Sequence, residues 1–312
     1  MEPGMRKGRP STLYRARVWR LGVWGVKVLP AWLSAAVSYG LTEIYWWTAR
    51  HRCEVVVRNL MPVCGEDRRL ASAAAKRLFR NFGTKLIDLW RYEGGMPVQH
   101  FLGESSGWEH YEAAKREGRG VLLLTPHLGN WELGGPWLTG RGIQLHVITL
   151  DEPGEEFTRF REAARARWNI RTLVVGSDPF GVLEIIRLLD GGATVALLVD
   201  RPIGNTKVEA SLFGRPLMVS VAAAELARAS GCSLLPVYVP RVGQTYAAHI
   251  LPPIAYDRAA LRQWEARKAL SQEIMNAFEP ILRRYPDQWY NFVPVWQEPA
   301  EATNLNHGVE HR

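Results

Sequence analysis

In the stretch TPHLGNWELGG, residues 125–135, His127 precedes Glu132 by five positions, after a run of pure aliphatics and amid three glycines. An imidazole beside a carboxylate makes a general base: the carboxylate accepts one ring N–H and leaves the other nitrogen turned outward. On one continuous helix, residues five apart point about 140° away from each other, so the pair can meet only if a helix begins between them. With His127 in a loop and Gly129 or Asn130 capping, Glu132 falls in the first helical turn, where the helix dipole favours an ionised carboxylate. The spacing then predicts that Glu132 accepts the imidazole N–H, while free helix N–H groups face developing negative charge. The stretch holds neither serine nor cysteine, and no second histidine at H-E-x-x-H spacing. A base acting directly on a substrate hydroxyl is therefore more economical than a covalent triad or a metal site. Spacing alone fits equally a strand-end histidine that only caps a helix.

The flanking sequence supplies elements that can position such a pair. GVLLLTPH (120–127), QLHVITL (144–150), RTLVVG (171–176), TVALLVD (194–200) and SLLPVYVP (233–240) are short apolar runs, and helical patterns at 155–168, 179–190 and 219–230 separate several of them. That alternation predicts an α/β fold, a central, mostly parallel sheet with helices on both faces. His127 then lies just past the C-terminal end of a buried strand, where open α/β sheets place their chemistry. Leu78, Phe82, Leu86 and Leu89 mark an amphipathic helix over the sheet, and residues 262–286 read as a long helix stopped by Pro286.

Residues 1–60 hold ten Lys or Arg against three Glu, which is nearly all of the formal net charge of +8. The same segment carries Trp19, Trp24, Trp32, Trp46 and Trp47, five of the 13 tryptophans. Val28–Trp47 is long enough for a membrane span, but Pro30 and Glu43 make a poor one. Leu29, Leu33, Val37, Leu41 and Ile44 recur at helical spacing between basic flanks, which predicts a retained helix lying on or partly in a membrane surface. A buried helix with a solvated basic tail is the alternative. The expected organisation is a membrane-associating segment over 1–48, an α/β domain over 49–298 and a tail over 299–312. Positive charge lies beside the most hydrophobic stretch instead of interleaving with aromatics along a sheet, which argues against nucleic acid. Three scattered cysteines suggest neither a zinc site nor a disulfide framework. A non-catalytic lipid binder and a lipid or thioester hydrolase remain the competing functions.

HLGNWELGG resembles the H-x4-D/E block of the bacterial lysophospholipid acyltransferase superfamily, in the form found in LpxL/HtrB-like late acyltransferases of lipid A biosynthesis and in their relatives that acylate phosphatidylinositol mannosides. Residues 197–239, with Asp200-Arg201, the F-G-x-P turn and LARASGCSLLP, are similar to a later family block. RNL at 58–60 and YPDQWYNFVPVW at 285–296 resemble further landmarks, so the likeness covers roughly residues 45–296. The chain departs from the commoner pattern in having Asp200-Arg201 where Asp-Gln is frequent and in lacking arginines after Trp289.

The resemblance implies acyl transfer from an acyl carrier protein or coenzyme A thioester to a hydroxyl of a lipid or glycolipid, with no further cofactor and no metal. It implies a site at the cytoplasmic face of the bacterial inner membrane, with His127 as base and Glu132 orienting it. Asp200 and Arg201 end a strand and should face the crevice of His127, as a substrate contact or as a buried-edge ion pair. Arg201 is placed to meet an acceptor phosphate, and Asn130 to contact substrate from the motif. Glu209 and Arg215 flank the SLFG turn, where an anionic headgroup could bind, although either can be plain surface charge. Arg171 is read as a phosphate or carrier contact, and Trp131, Leu133 and Trp137 as walls of an acyl channel or as ordinary core.

Overall fold

The computed structural model describes residues 15–149, 155–175, 179–202 and 207–297. The expected tail and the first 14 residues of the basic segment lie outside the described residues.

Strand β2 (Val121–Thr125) is buried along its whole length, between β5 (Thr194–Leu198) and β8 (Ser233–Tyr238), both parallel to it. A strand covered on both faces must be apolar at every position, which is why VLLL carries no alternation. Its side chains divide between two cores: Leu122 and Leu124 pack among residues of one sheet face, Val121 and Leu123 among those of the other. Beyond β5 the sheet continues through β3 (Leu145–Thr149) and β4 (Ile170–Val174), also parallel. On the other side β8 pairs antiparallel with β10 (Thr245–Ile250), which pairs parallel with β1 (Leu102–Ser106) and antiparallel with the short β9 (Arg241–Val242). The five runs read from the sequence are thus β2, β3, β4, β5 and β8. Strands β1, β9 and β10 and a separate hairpin, β6 (Lys207–Leu212) and β7 (Arg215–Ser220), were not foreseen. The hairpin turns on Phe213 (φ 53°) and Gly214 (φ 74°), left-handed at both central residues as a tight two-residue turn requires.

Helices α5 (Trp108–Arg116), α6 (Trp131–Thr139) and α7 (Glu155–Ala166) contribute to the core that holds Leu123. Helices α8 (Pro179–Asp190), α9 (Ala222–Ser230) and α10 (Trp264–Arg284) contribute to the other. The predicted helix over 219–230 is shorter than expected, because Val219 and Ser220 close β7. Helix α4 (Arg68–Glu93) is started by Asp67, whose carboxylate accepts the amides of Arg69 and Leu70. It buries Leu78 and Leu89 inward, as the periodicity required.

Two helices precede α3 (Arg50–Leu60): α1 (Ala16–Val28) and α2 (Ala31–Thr48), separated at Pro30. Among the described residues, no helix is long and apolar enough to cross a membrane. Trp19 is buried against α4 and Trp46 packs on Phe79, whereas Trp24, Trp32 and Trp47 are each at least 60% exposed. Leu21, Val28, Val37, Leu41 and Ile44 join them at the surface, so these helices present apolar side chains outward.

Candidate active site

Thr125 of β2 pairs with Leu198 of β5, and both chains leave the sheet in parallel. Two residues further on each brings one polar side chain to the same point: His127 from β2 and Asp200 from β5. His127 Nδ1 lies 2.6 Å from Asp200 Oδ1, and the His127 amide donates to Asp200 Oδ2 at 3.1 Å. Trp289 Nε1 (2.8 Å) and Asn291 Nδ2 (3.2 Å) donate to the same oxygen. Burial pushes the Asp200 carboxyl up, but His127, Arg201 and the Trp289 hydrogen bond outweigh it and hold the group well below the usual carboxylate range. An ionised carboxylate only accepts, so the imidazole proton sits on Nδ1 and Nε2 keeps its lone pair. Burial lowers the His127 pKa; Asp200 opposes this, while Arg201 and Lys85 add to it, so the ring rests neutral and able to take a proton.

The expectation that Glu132 orients His127 is corrected. Asn130 occupies the N-cap of α6 and Glu132 its first turn, as expected, but the indole of Trp131 makes a T-shaped contact with His127 and the Glu132 carboxylate turns to α7. There Arg165 grips it through Nη2 (2.8 Å) and Nε (3.4 Å), and Arg161 reaches it at 3.0 Å. Two buried arginines four apart on one helix face attract this carboxylate more strongly than a neutral imidazole can. Burial raises the Glu132 carboxyl, yet Arg165, Arg161 and Lys85 together bring it far below the usual range. Arg161 also pairs with Glu93 at the end of α4, which accepts from the Trp19 indole of α1.

The loop between β2 and α6 runs so close to its neighbours that only glycine fits at one position. Gly129 has φ +63°, and a Cβ there would lie 2.0 Å from the carbonyl oxygen of Val239. The loop is pinned by Gly129 N to Gln288 O, Asn130 N to Val239 O and Tyr290 N to His127 O. Residues 288–291 therefore hold both the loop and Asp200. They are held in turn by Asn59, whose amide nitrogen donates to the carbonyls of Asn291 and Val293. The two outlying landmarks, RNL and YPDQWYNFVPVW, thus meet behind the site.

A cavity of about 1590 Å³ runs from this point between the sheet and the N-terminal helices. His127, Lys85, Trp131, Glu132 and Arg201 line its polar part; Trp137, Leu145, Ile170, Val237 and Ile250 are among the apolar lining, as are Leu29, Val37 and Leu41 of the N-terminal segment. Trp131 and Trp137 line this cavity, Trp137 also packing in the core, whereas Leu133 is wholly buried core. Arg201 lies beside the pair, donating to Asn291 Oδ1 and Tyr290 O at 2.6 Å each.

Four other expected substrate contacts do not join the cavity. Asn130 is fully buried, its amide against the Lys85 carbonyl, so it anchors the loop. Arg171 pairs with Glu184 near the start of β4, whereas the site lies at the strands' C-terminal ends. Glu209 is exposed on β6, and Arg215 pairs with Glu66 at the surface. Sequence reading missed Trp289 and Asn291, although their landmark was noted, and missed Lys85, Arg161 and Arg165. The signal for the last two was their spacing of four among Phe157, Phe160 and Ala164, which places guanidiniums on a buried helix face.

Comparison with known proteins agrees with this architecture. A phosphatidylinositol mannoside acyltransferase of Mycobacterium tuberculosis is 28% identical over 193 residues, 61% of this chain, and that match spans only 58% of the relative's length. One of Mycolicibacterium smegmatis, also named phosphatidylinositol mannoside acyltransferase, is 27% identical over 298 residues, 93% of this chain and 92% of the relative. The family pattern described as bacterial lipid A biosynthesis acyltransferase matches residues 23–298, covering both strand-end residues, the loop and the clamp behind them, and the chain belongs to that family.

Proposed function

We propose that this protein transfers a fatty acyl group from an acyl thioester to a hydroxyl of a glycosylated phospholipid or related lipid, with His127 as general base and Asp200 as its orienting carboxylate. The observation that carries the reading is the His127–Asp200 pair opening on a large, mostly apolar cavity. Nε2 takes the proton of the acceptor hydroxyl as its oxygen attacks the thioester carbonyl. The tetrahedral intermediate collapses, the C–S bond breaks, and the sulfur leaves with the electron pair and the proton from the imidazolium. No cofactor beyond the thioester is required by these steps. In this reading Glu132 acts as a strut, fixing the start of α6 through Arg161 and Arg165, and Arg201 meets an anionic group of the substrate.

The outward tryptophans and aliphatics of α1 and α2, with basic residues among them, suit a membrane interface. Residues 1–48 are thus the membrane-associating segment and 49–298 the α/β domain, acting at the cytoplasmic face of the inner membrane. The cavity reaches these helices, which lets a lipid enter from the bilayer. Basic surface there suits an acidic acyl carrier protein as well as a coenzyme A thioester. The test is transfer of labelled palmitate from its thioester to a polar lipid extract. Wild type should form acylated lipid and His127→Ala should form none. Free fatty acid as the sole product would make the protein a hydrolase, and activity in His127→Ala would remove the base.

A further inference from the structure

Lys85 has no part in the steps above, yet it lines the same cavity from α4 while only 4% exposed. Its ammonium lies 2.8 Å from the ring centroid of Trp131, 5.1 Å from that of Tyr290 and 5.9 Å from that of Phe82. Among the described residues it has no hydrogen-bond acceptor and no ion pair. Among the described residues, the carboxylates Glu93, Glu132 and Asp200 are matched by Arg161, Arg165 and Arg201 without it. A methionine would fill the space between three rings without the cost of burying an amine. Among the described residues, an amine retained there is an additional positive charge, beside the point where one negative charge must form.

We propose that Lys85 is a further catalytic residue, its ammonium meeting the oxyanion that develops at the thioester carbonyl beside His127. This rests on the acyl-transfer reading above. When the acceptor oxygen bonds to the carbonyl carbon, its proton moves to His127 Nε2 and the carbonyl π pair moves onto oxygen, opposite Lys85. Collapse restores the C=O bond, breaks C–S and sends the imidazolium proton to sulfur; Lys85 keeps its proton throughout. Trp131 connects the two residues physically, meeting the imidazole in a T-shaped contact and holding the ammonium over its face.

The groups that set its charge are Glu132 from α6, Arg161 from α7, Arg201 beyond β5 and His127 beyond β2. Asp88 on its own helix is occupied by Tyr246 and Arg91. Burial first, then Arg161 and Arg201, lower the Lys85 pKa well below the ordinary lysine value against the pull of Glu132. The ammonium is therefore lost at lower pH than that of an ordinary lysine.

The test uses the full chain in detergent micelles with palmitoyl-CoA and phosphatidylinositol mannoside, following thiol release and acylated lipid. Lys85→Met should lower kcat about 10²-fold, as loss of one oxyanion donor does. Its KM for palmitoyl-CoA should stay within about threefold and its thermal midpoint should equal or exceed that of wild type. Lys85→Arg should recover at least about tenfold of the loss and lack the fall in kcat that loss of the Lys85 proton causes in wild type, because guanidinium stays charged throughout. Near-wild-type kcat in Lys85→Met, or a raised KM at unchanged kcat, would overturn the proposal. So would a loss that Arg does not recover and that a lowered thermal midpoint accompanies. Wild type as inactive as His127→Ala would overturn the acyl-transfer reading itself, and this proposal with it.

Discussion

Replacing Asp200 by asparagine changes one oxygen to NH₂ at a carboxylate that accepts four hydrogen bonds. Three of the donors, the His127 amide, Trp289 Nε1 and Asn291 Nδ2, converge on Oδ2. The new amide must therefore keep its oxygen there and turn its NH₂ to His127 Nδ1, now 2.6 Å from a donor. The imidazole can accept that bond only by moving its proton to Nε2, which removes the lone pair that takes the substrate proton. The expected loss is the full value of general-base catalysis, about 10²–10⁴ in rate. A drop of about 10³ in kcat corresponds to about 4 kcal/mol of barrier, with KM for the thioester little changed. Steady-state thiol release by purified Asp200→Asn, checked for an unaltered melting curve, measures this. Glu132→Gln keeps an acceptor oxygen for one arginine and should lose far less kcat. The reverse ranking, Asp200→Asn near wild type and Glu132→Gln down by about 10³, would return the orienting role to Glu132 and refute the reasoning.

The buried, neutral His127 places the acid-side fall of kcat/KM below pH 6.5, and Asp200→Asn should move that limb lower still, because the carboxylate is what raises the imidazole pKa. The same depressed value gives stability that is present above pH 6.5 and lost as the pH falls below it, which acid unfolding curves of wild type and His127→Ala would show. Substituting Trp24, Trp32 and Trp47 together by serine should weaken binding to anionic vesicles at least about tenfold in a sedimentation assay while leaving the fold intact. Unchanged sedimentation would remove α1 and α2 from the membrane contact. Arg161→Ala leaves buried Glu93 without its ion-pair partner and takes one arginine from Glu132, so it should cost about 3–5 kcal/mol in denaturant unfolding. Arg215→Ala, at an exposed pair with Glu66, should cost about 0.5 kcal/mol or less.

The centre of the fold was legible because buried parallel strands write themselves as unbroken aliphatic runs, and Val121–Leu124 could be little else. The edges were not. Strand β1 is LGESS, polar and mostly exposed, with nothing apolar to mark it. Strand β6, KVEASL, does alternate, but its hairpin stands apart from the βα rhythm and was read only as a turn. His127 was found from its type and position past a strand. Its partner was sought along the chain, five residues away, whereas the contact runs across the sheet to a residue 73 positions on. Placing Asp200 in the same crevice needed only the end of TVALLVD. Making it the partner needed the strand order, which puts β5 directly beside β2 and which the run of elements does not state. Lys85 carried no local signal, since one lysine on a basic helix reads as solvated surface.

The two strand-end residues sit the same number of positions beyond one backbone rung, Thr125 opposite Leu198, and that shared offset has a consequence for how the family can change. A single inserted or deleted residue between Thr125 and His127, or between Leu198 and Asp200, would carry one side chain away from the point where the two now meet. The contact could not be regained by sliding, because the ladder of five paired residues behind it is fixed. Helices α6 and α7 have no such constraint: Glu132 is held by long arginines that can follow a helix as it shifts. Variation in length and sequence among relatives should therefore accumulate around the α6–α7 side of the cavity, while the two short stretches 125–127 and 198–200 keep their residue count.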